Sequence, residues 1–121
     1  MIYAVGVDIT QNDRVKEAVG KWGERFVNRV FTEGERRYCF SKSSPIGSLA
    51  GRFAAKEAFI KACGKATAFR DIEVVSDTGG KPSLRLHGDA EGCMRALGIT
   101  ASHLSISHER HYSVAVVILE V

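Results

Sequence analysis

The residues best suited to chemistry lie in one predicted helix. A strong helical pattern covers residues 51–64, GRFAAKEAFIKACG, in which several cations surround the single carboxylate of Glu57. Residues four apart share a helix face, so Glu57 lies on one stripe with Lys61, while Arg52 and Lys56 lie together beside it. A carboxylate among convergent cations suits a magnesium-bound polyphosphate.

A second acid, Asp8, follows the apolar residues 2–7 and precedes Ile9. A Glu–Lys pair four apart is by itself the commonest surface pair of helices and contributes only about 0.2 to 0.5 kcal/mol. Asp8 favours a functional interpretation over a simple surface pair. Asp is depleted in strands, and its carboxylate is costly to bury unless a cation or a hydrogen-bond donor contacts it. We therefore predict that Asp8 and Glu57 hold magnesium, which takes one or two carboxylates together with substrate phosphates and waters.

The first half of the chain, which must position these acids, is predicted to be mostly helical. The pairs Thr10–Asp13 and Thr32–Glu35 have the spacing of capping boxes and indicate two helix starts. Pro45 suits the first position of the long helix that carries the motif and ends near residue 64. After residue 65 the hydrophobic period changes from helical to alternating.

The second half of the chain is predicted to form antiparallel strands. Alternating or apolar segments predict strands at about 72–74, 83–86, 102–107 and 112–120. The apolar run at 114–119 favours a strand covered on both faces. The expected fold is α+β, with a helical N-terminal half packed on an antiparallel sheet, in a single domain over residues 1–121.

Composition narrows the functional classes. The 121 residues are 45% hydrophobic with a formal net charge of +3. Neither a basic leader with an apolar core nor an apolar run of ~20 residues is present, so we expect a cytoplasmic protein without a membrane segment. The odd, widely spaced cysteines Cys39, Cys63 and Cys93 are expected to be free thiols rather than disulfides, zinc ligands or a nucleophile.

Five segments together carry a family resemblance. They are VGVDI at 5–9, GRFAAKEA at 51–58, DIEV at 71–74, GKP at 80–82 and LSISH at 104–108. In order and spacing they resemble bacterial holo-[acyl-carrier-protein] synthases of the 4′-phosphopantetheinyl transferase superfamily. The resemblance implies the fold of that superfamily. It also implies transfer of 4′-phosphopantetheine from coenzyme A to a serine of apo acyl carrier protein, releasing 3′,5′-ADP, in fatty acid biosynthesis.

The resemblance implies catalytic roles for three residues. Asp8 and Glu57 bind magnesium, and Lys61 contacts the pyrophosphate and steadies the charge that develops on the leaving 3′,5′-ADP. The serine is activated either by Glu57 through a water or by a magnesium-bound hydroxide, and the sequence leaves both open.

The coenzyme contacts expected from the motifs surround the long helix and the late strand end. They are Arg52, Lys56, Lys61, Gly64, Lys65, Pro82 and His108. The family pattern is broken after the helix, where relatives read Gly-Thr-Gly and this chain has GKAT at 64–67. Because Ala66 restricts the backbone, we expect the Lys65 ammonium to replace backbone contacts with phosphate.

Basic residues on the first helices suit an acidic partner. Arg14, Lys21, Arg25 and Arg29 are interleaved with apolar residues. Such a helix is most often a solvated face, but acyl carrier proteins are acidic around their modified serine, and the resemblance makes Arg14 the best single contact. The resemblance also implies a homotrimer whose active sites are shared between subunits.

Two other classes of protein would account for part of this pattern. A nucleic-acid-binding module would use the basic helices but gives no reason for Asp8. A non-catalytic domain that binds carrier proteins would need neither Glu57 nor Lys61. We therefore expect an enzyme that engages neither nucleic acid nor a membrane.

Overall fold

The computed structural model describes residues 1–121 as five strands and five helices. The strands are β1 (Ile2–Gln11), β2 (Ile72–Ser76), β3 (Pro82–Leu86), β4 (Ala101–His108) and β5 (Tyr112–Glu120). The helices are α1 (Asn12–Trp22), α2 (Glu24–Val30), α3 (Glu33–Phe40), α4 (Pro45–Cys63) and α5 (Gly88–Ala96). A single 3₁₀ turn, Phe69–Asp71, precedes β2.

All strand pairings are antiparallel, which confirms the α+β prediction. One sheet has the order β1-β5-β4, and β2 pairs with β3 in a separate hairpin. In the first sheet Ala115 of β5 lies between Asp8 of β1 and Ile106 of β4. The central strand thus carries the acid-bearing strand on one side and the His108-bearing strand on the other.

Helix α4 packs directly on β1 because both surfaces are made of small residues. Ala54, Ala55, Ala58 and Ala62 of α4 belong to the main buried cluster. A Cβ added to Gly6 would lie 1.9 Å from the carbonyl oxygen of Ala58, so only glycine permits this approach. The close contact places Asp8, two residues further along the same face of β1, beside α4.

Helices α1 to α3 pack around the first half of α4 in a second buried cluster, which includes Val15, Phe31 and Leu49. The capping box of Thr32 and Glu35 is confirmed, with both reciprocal hydrogen bonds present.

The predicted capping box of Thr10 and Asp13 is wrong. Helix α1 begins at Asn12 without a side-chain cap. The Thr10 hydroxyl instead donates to Asp8 Oδ2 at 2.7 Å. The Thr10 side chain therefore supports the acid at the end of the apolar segment rather than the helix.

The predicted double covering of β5 is wrong for a single chain. One face of β5 is buried, but Val114, Val116 and Ile118 on the other face are only half-buried. On the same outer side, Val5 and Ile9 of β1 are 53% and 67% exposed. The helices cover only the inner face of this sheet, so the outer side of β1 and β5 remains apolar, whereas β4 contributes His103, Ser105 and Ser107 to that side.

The expectation of free cysteines is also wrong for two of the three. Cys63, the last residue of α4, forms a disulfide with Cys93 of α5, whereas Cys39 is free and buried. The sequence did not predict this disulfide, because the two cysteines are 30 residues apart and meet only when two helical segments pack together. No helix has the length and apolar character needed to cross a membrane.

Candidate active site

The contact between β1 and α4 creates a cluster of charged side chains. Lys61 Nζ lies 3.0 Å from Asp8 Oδ1 and 3.1 Å from the Val7 carbonyl oxygen. The Asp8 side chain is only 13% exposed, whereas that of Lys61 is 55% exposed. Glu57, one turn before Lys61, faces the same region, so the three residues with predicted catalytic roles are brought together.

The electrostatics of this cluster leave room for a cation. Burial raises the pKa of Glu57, and the neighbouring charge of Asp8 raises it further, while Lys61 opposes both effects. Two carboxylates that repel each other across a partly buried site favour a metal ion between them. No group of three or more His, Cys, Asp or Glu side chains is arranged to hold a metal. A carboxylate pair fits magnesium, which binds proteins through one or two carboxylates and keeps other positions for phosphates and waters.

The carboxylates line a largely apolar cavity of about 570 Å³. Its walls include Phe26 of α2 and Phe53 of α4, and Arg14 of α1 also lines it. Phe53 precedes Glu57 by one helical turn, so the helical stripe already pointed to it. Phe26 was not predicted, because it comes from a separate helix.

A second cavity, of about 340 Å³, contains three of the expected coenzyme contacts. Arg52, Pro82 and His108 line it. Arg52 is only 6% exposed, and its Nε has no hydrogen-bond partner although its guanidinium lines the cavity. In one copy of the chain this cavity is separate from the one that holds Asp8 and Glu57.

Sequence reasoning missed the residues that hold Arg52 in this second cavity. The Arg52 guanidinium carbon lies 4.1 Å from the centre of the Tyr38 ring, and one of its nitrogens donates to Ser76 Oγ at 3.1 Å. Lys42 Nζ lies 4.5 Å from the same ring. A hydrogen bond with Ser76 lowers the pKa of Tyr38, and the charges of Arg52 and Lys42 lower it further against the opposing effect of burial.

The predicted coenzyme contact of Lys56 is wrong. Its side chain is completely buried, and its ammonium donates to Glu35 Oε1 at 2.8 Å and to two backbone carbonyls. Helical geometry turns Lys56 about 100° around α4 from Glu57, and its contacts are with α3 and β2. An ammonium with three donors already engaged has none left for a ligand.

Gly64 and Lys65, which directly follow α4, line neither of these two cavities. Gly64 adopts the left-handed conformation that ends the helix, with φ of 80°. Lys65 lines a third cavity with Asp89 and the Cys63–Cys93 disulfide. The structure therefore does not bring Lys65 together with Arg52 or with Glu57.

The four predicted partner contacts are all exposed on α1 and α2. They are Arg14, Lys21, Arg25 and Arg29. Arg25 and Arg29 flank a surface cavity with Trp22 and Phe26, and Phe26 also lines the cavity of the carboxylates. A continuous surface thus runs from the cations of α2 to Glu57.

The fold and the site define a small α+β enzyme with a carboxylate pair beside cations. The family model of the 4′-phosphopantetheinyl transferase superfamily matches residues 4–117. The chain is 50% identical to a holo-[acyl-carrier-protein] synthase of Halothermothrix orenii over 123 residues, which cover 99% of this chain and 98% of the relative. It is 46% identical to the synthase of Leptospira biflexa over 119 residues, covering 95% and 94%.

Solved structures agree with the sequence matches. The holo-[acyl-carrier-protein] synthase of Neisseria meningitidis superimposes with a TM-score of 0.91 at 35% identity, covering 99% of both chains. The Helicobacter pylori synthase in complex with coenzyme A gives 0.84 at 28% identity, covering 96% of this chain and 99% of that one. The chain belongs to the holo-[acyl-carrier-protein] synthase family of the 4′-phosphopantetheinyl transferase superfamily, as its motifs predict.

Proposed function

We propose that residues 1–121 act as a single domain that transfers 4′-phosphopantetheine from coenzyme A to a serine of apo acyl carrier protein, releasing 3′,5′-ADP, in fatty acid biosynthesis. The observation that carries the proposal is the cluster of Asp8, Glu57 and Lys61 at an apolar cavity, in a chain of this family. Relatives bear the name of this activity, and one solved relative contains coenzyme A.

Asp8 and Glu57 are the proposed magnesium ligands. Bound there, magnesium would neutralise the pyrophosphate and so favour its cleavage. Asp8 is held in place by the Thr10 hydroxyl and by Lys61. Because Lys61 already lies at the carboxylate pair, its ammonium is placed to meet the phosphates of a substrate and to stabilise the leaving group.

Glu57 is the proposed acceptor of the serine proton, directly or through a water. Glu57 lines the apolar cavity beside Asp8, so its carboxylate is placed to accept a proton from a hydroxyl that enters there. Asp8 lacks this role in the proposal because its oxygens already accept hydrogen bonds from Thr10 and Lys61.

The second cavity is the proposed site for the adenosine and 3′-phosphate of coenzyme A. Arg52, Lys42 and His108 supply its cationic and polar wall, and Pro82 also lines it. The Arg52 guanidinium is largely buried and lines this cavity, where a charge-assisted hydrogen bond to phosphate is strong. The expected contacts of Gly64 and Lys65 stay predictions.

The basic surface of α1 and α2 is the proposed docking site for the acidic carrier protein. Arg14 lies at the cavity of the carboxylates, while Lys21, Arg25 and Arg29 extend the positive surface away from it. Complementary charge steers an acidic partner and raises the association rate.

A homotrimer is the proposed assembly. The outer face of the β1-β5-β4 sheet exposes Val5, Val7 and Ile9, and a contiguous apolar face of this kind favours self-association. In one copy the cavity of Arg52 and the cavity of Glu57 are separate, and adjacent copies could bring them together. Light scattering should give three times the chain mass, and Val7→Asp should lower it. A cytoplasmic location stays a prediction.

A mass measurement tests the activity directly. The chain is incubated with coenzyme A, magnesium and an apo acyl carrier protein, and the carrier is examined for a phosphopantetheine adduct. We expect the adduct on one serine and its loss when EDTA removes the metal. A carrier that stays unmodified under all magnesium concentrations would contradict the proposed function.

A further inference from the structure

Lys56 is a charged residue that the proposed mechanism leaves without a role. It has no exposed side-chain surface, yet it lies next to Glu57 in the helix. Its ammonium donates to Glu35 Oε1 at 2.8 Å, to the Phe69 carbonyl at 2.9 Å and to the Ile72 carbonyl at 2.5 Å. Burial lowers the pKa of Lys56, and the charge of Glu35 opposes that shift.

Glu35 completes a buried hub that joins three elements. Its Oε1 also accepts the Thr32 backbone N–H at 2.9 Å, and its Oε2 accepts the Val74 backbone N–H at 2.8 Å. The hub therefore links α3 through Glu35, α4 through Lys56 and β2 through Val74. Because hydrogen bonds are directional, they fix the relative positions of these three elements more strictly than apolar contacts would.

The same three elements supply the residues that hold the Arg52 guanidinium. Tyr38 follows Glu35 by three residues on α3, and Arg52 precedes Lys56 by four on α4, so each lies one helical turn from its hub residue. Ser76 follows Val74 by two residues and so projects from the same face of β2. The cluster formed by Arg52, Tyr38 and Ser76 is thus a second layer beside the hub.

The orientation of Arg52 depends on the relative placement of these elements. Its guanidinium carbon lies 4.1 Å from the centre of the Tyr38 ring and one of its nitrogens donates to Ser76 at 3.1 Å, while Nε is buried without a hydrogen-bond partner. We propose that Lys56 and Glu35 are positioning residues that set the direction of the Arg52 guanidinium and thereby the affinity for the phosphates of coenzyme A. The inference rests on the proposed function of this cavity.

Stability alone does not account for such a pair. Replacing a buried ion pair by apolar residues of similar volume is often neutral or stabilising, because the charges no longer lose their hydration. An apolar pair would keep α3, α4 and β2 packed but would not fix their register by directed hydrogen bonds. The distinction between packing and positioning can therefore be measured.

The test is the double variant Lys56→Met with Glu35→Leu, which removes both charges and keeps apolar volume. The matched control is Arg37→Met with Glu33→Leu, which removes an exposed pair of 2.9 Å on α3. For each protein we would measure the melting temperature, kcat, the KM values for coenzyme A and carrier protein, and the Kd of 3′,5′-ADP by calorimetry.

We expect the double variant to fold, with a melting temperature close to that of the wild type. Its KM for coenzyme A and its Kd for 3′,5′-ADP should rise about tenfold, because a displaced binding group loses its alignment. Its kcat and its KM for the carrier protein should change by less than about twofold, as should every constant of the control. The Kd of 5′-AMP, which lacks the 3′-phosphate, should rise less than that of 3′,5′-ADP.

A folded double variant that binds 3′,5′-ADP as tightly as the wild type would overturn the inference and leave the pair a purely structural role. If the double variant does not fold, Glu35→Gln decides, because it keeps the side-chain volume but loses an acceptor for either Lys56 or Val74. An unchanged KM for coenzyme A in folded Glu35→Gln also overturns the inference. A wild type without transfer activity would instead refute the proposed function.

Discussion

Lys56 and Glu57 are adjacent in α4 but lie in opposite electrostatic surroundings. Lys56 is buried, paired with Glu35 and fully hydrogen-bonded. Glu57 is half-buried beside a second carboxylate, and its pKa is raised. About 100° of helical rotation separates the two side chains. We call the side of α4 that carries Lys56 the balanced face, because its charge is paired. We call the side that carries Glu57 the open face, because its negative charge is left for a ligand.

This difference shows how one helix combines rigidity with binding. On the balanced face, removing either charge leaves the other buried without a partner, so the cost falls on stability. On the open face, the carboxylates repel each other in the free protein, so their removal costs activity rather than stability. Removing one charge from the pair of Lys56 and Glu35 should therefore mainly lower stability, whereas removing Asp8 or Glu57 should mainly lower activity.

The open face gives the largest expected effect. Asp8→Ala or Glu57→Ala should lower kcat/KM by about a thousandfold or more, because either change removes a proposed magnesium ligand. The melting temperature should stay within a few degrees of the wild type. Initial rates of phosphopantetheine transfer at saturating magnesium measure the loss. Near-normal turnover by Asp8→Ala would refute the assignment of the ligand pair.

The balanced face gives the largest expected effect on stability. Lys56→Met alone should lower the free energy of unfolding by about 3 to 5 kcal/mol, because Glu35 is left buried without its counter-charge. Adding Glu35→Leu should restore most of the loss. Urea unfolding of the single and double variants measures both. Equal stability of the single and double variants would contradict the balance ascribed to this face.

The C-terminal end of α4 is held by a different kind of bond. Reducing the Cys63–Cys93 disulfide, which closes a loop with a separation of 30 residues, should lower the free energy of unfolding by about 3 kcal/mol. Thermal unfolding with and without a phosphine reductant measures the effect. Cys63→Ser is the control, since the reductant should leave its melting temperature unchanged. A wild type indifferent to reductant would show that the thiols are free in solution.

The sequence predicted one face of α4 much better than the other. Helical spacing placed Glu57 with Lys61, and the apolar strand placed Asp8 at the sheet. Their meeting depends on the close approach of Gly6 to Ala58, which is a local match of small residues. The burial of Lys56 depends on Glu35, which lies 21 residues earlier in the chain. The sequence indicated that Glu35 caps a helix, but it did not indicate that Glu35 also pairs with Lys56.

Other features could not be predicted because they depend on tertiary packing. Tyr38 and Ser76 meet Arg52 only after α3 and β2 are placed against α4. The pairing of Cys63 with Cys93 depends on the packing of α5 against the end of α4. The half-buried outer side of β5 looked like a doubly covered strand because an apolar run does not reveal what covers it.

Partner recognition next to the open face should give a moderate effect. Arg14→Glu should raise the KM for the carrier protein about tenfold and leave the KM for coenzyme A within about twofold, because a rim charge mainly steers association. Added salt should weaken the wild type in the same direction. Lys16→Glu is the matched control, as it makes the same charge change at an exposed position of α1 outside the cavity. Equal losses for both substrates would argue against a docking role.

The smallest expected effect is a pH-dependent gain in the stability of the protein when the Glu57 carboxylate is replaced. Burial and the charge of Asp8 raise the pKa of Glu57 above its ordinary value of 4.5, so the folded protein binds a proton there more readily than the unfolded chain does. Ionised Glu57 therefore destabilises the fold as pH rises through its folded-state pKa, and this penalty is absent below the ordinary value.

Glu57→Gln removes that penalty while keeping the size of the side chain. Near neutral pH its melting temperature should exceed that of the wild type by a few degrees at most, and the difference should vanish as the pH falls below about 4. Magnesium should reverse the order, because an ion held by Asp8 and Glu57 stabilises only the wild-type site. Calorimetric melts across pH, with and without magnesium, measure both differences. A variant less stable than the wild type in metal-free neutral buffer would mean that Glu57 contributes to the fold, and the contrast with Lys56 would fail.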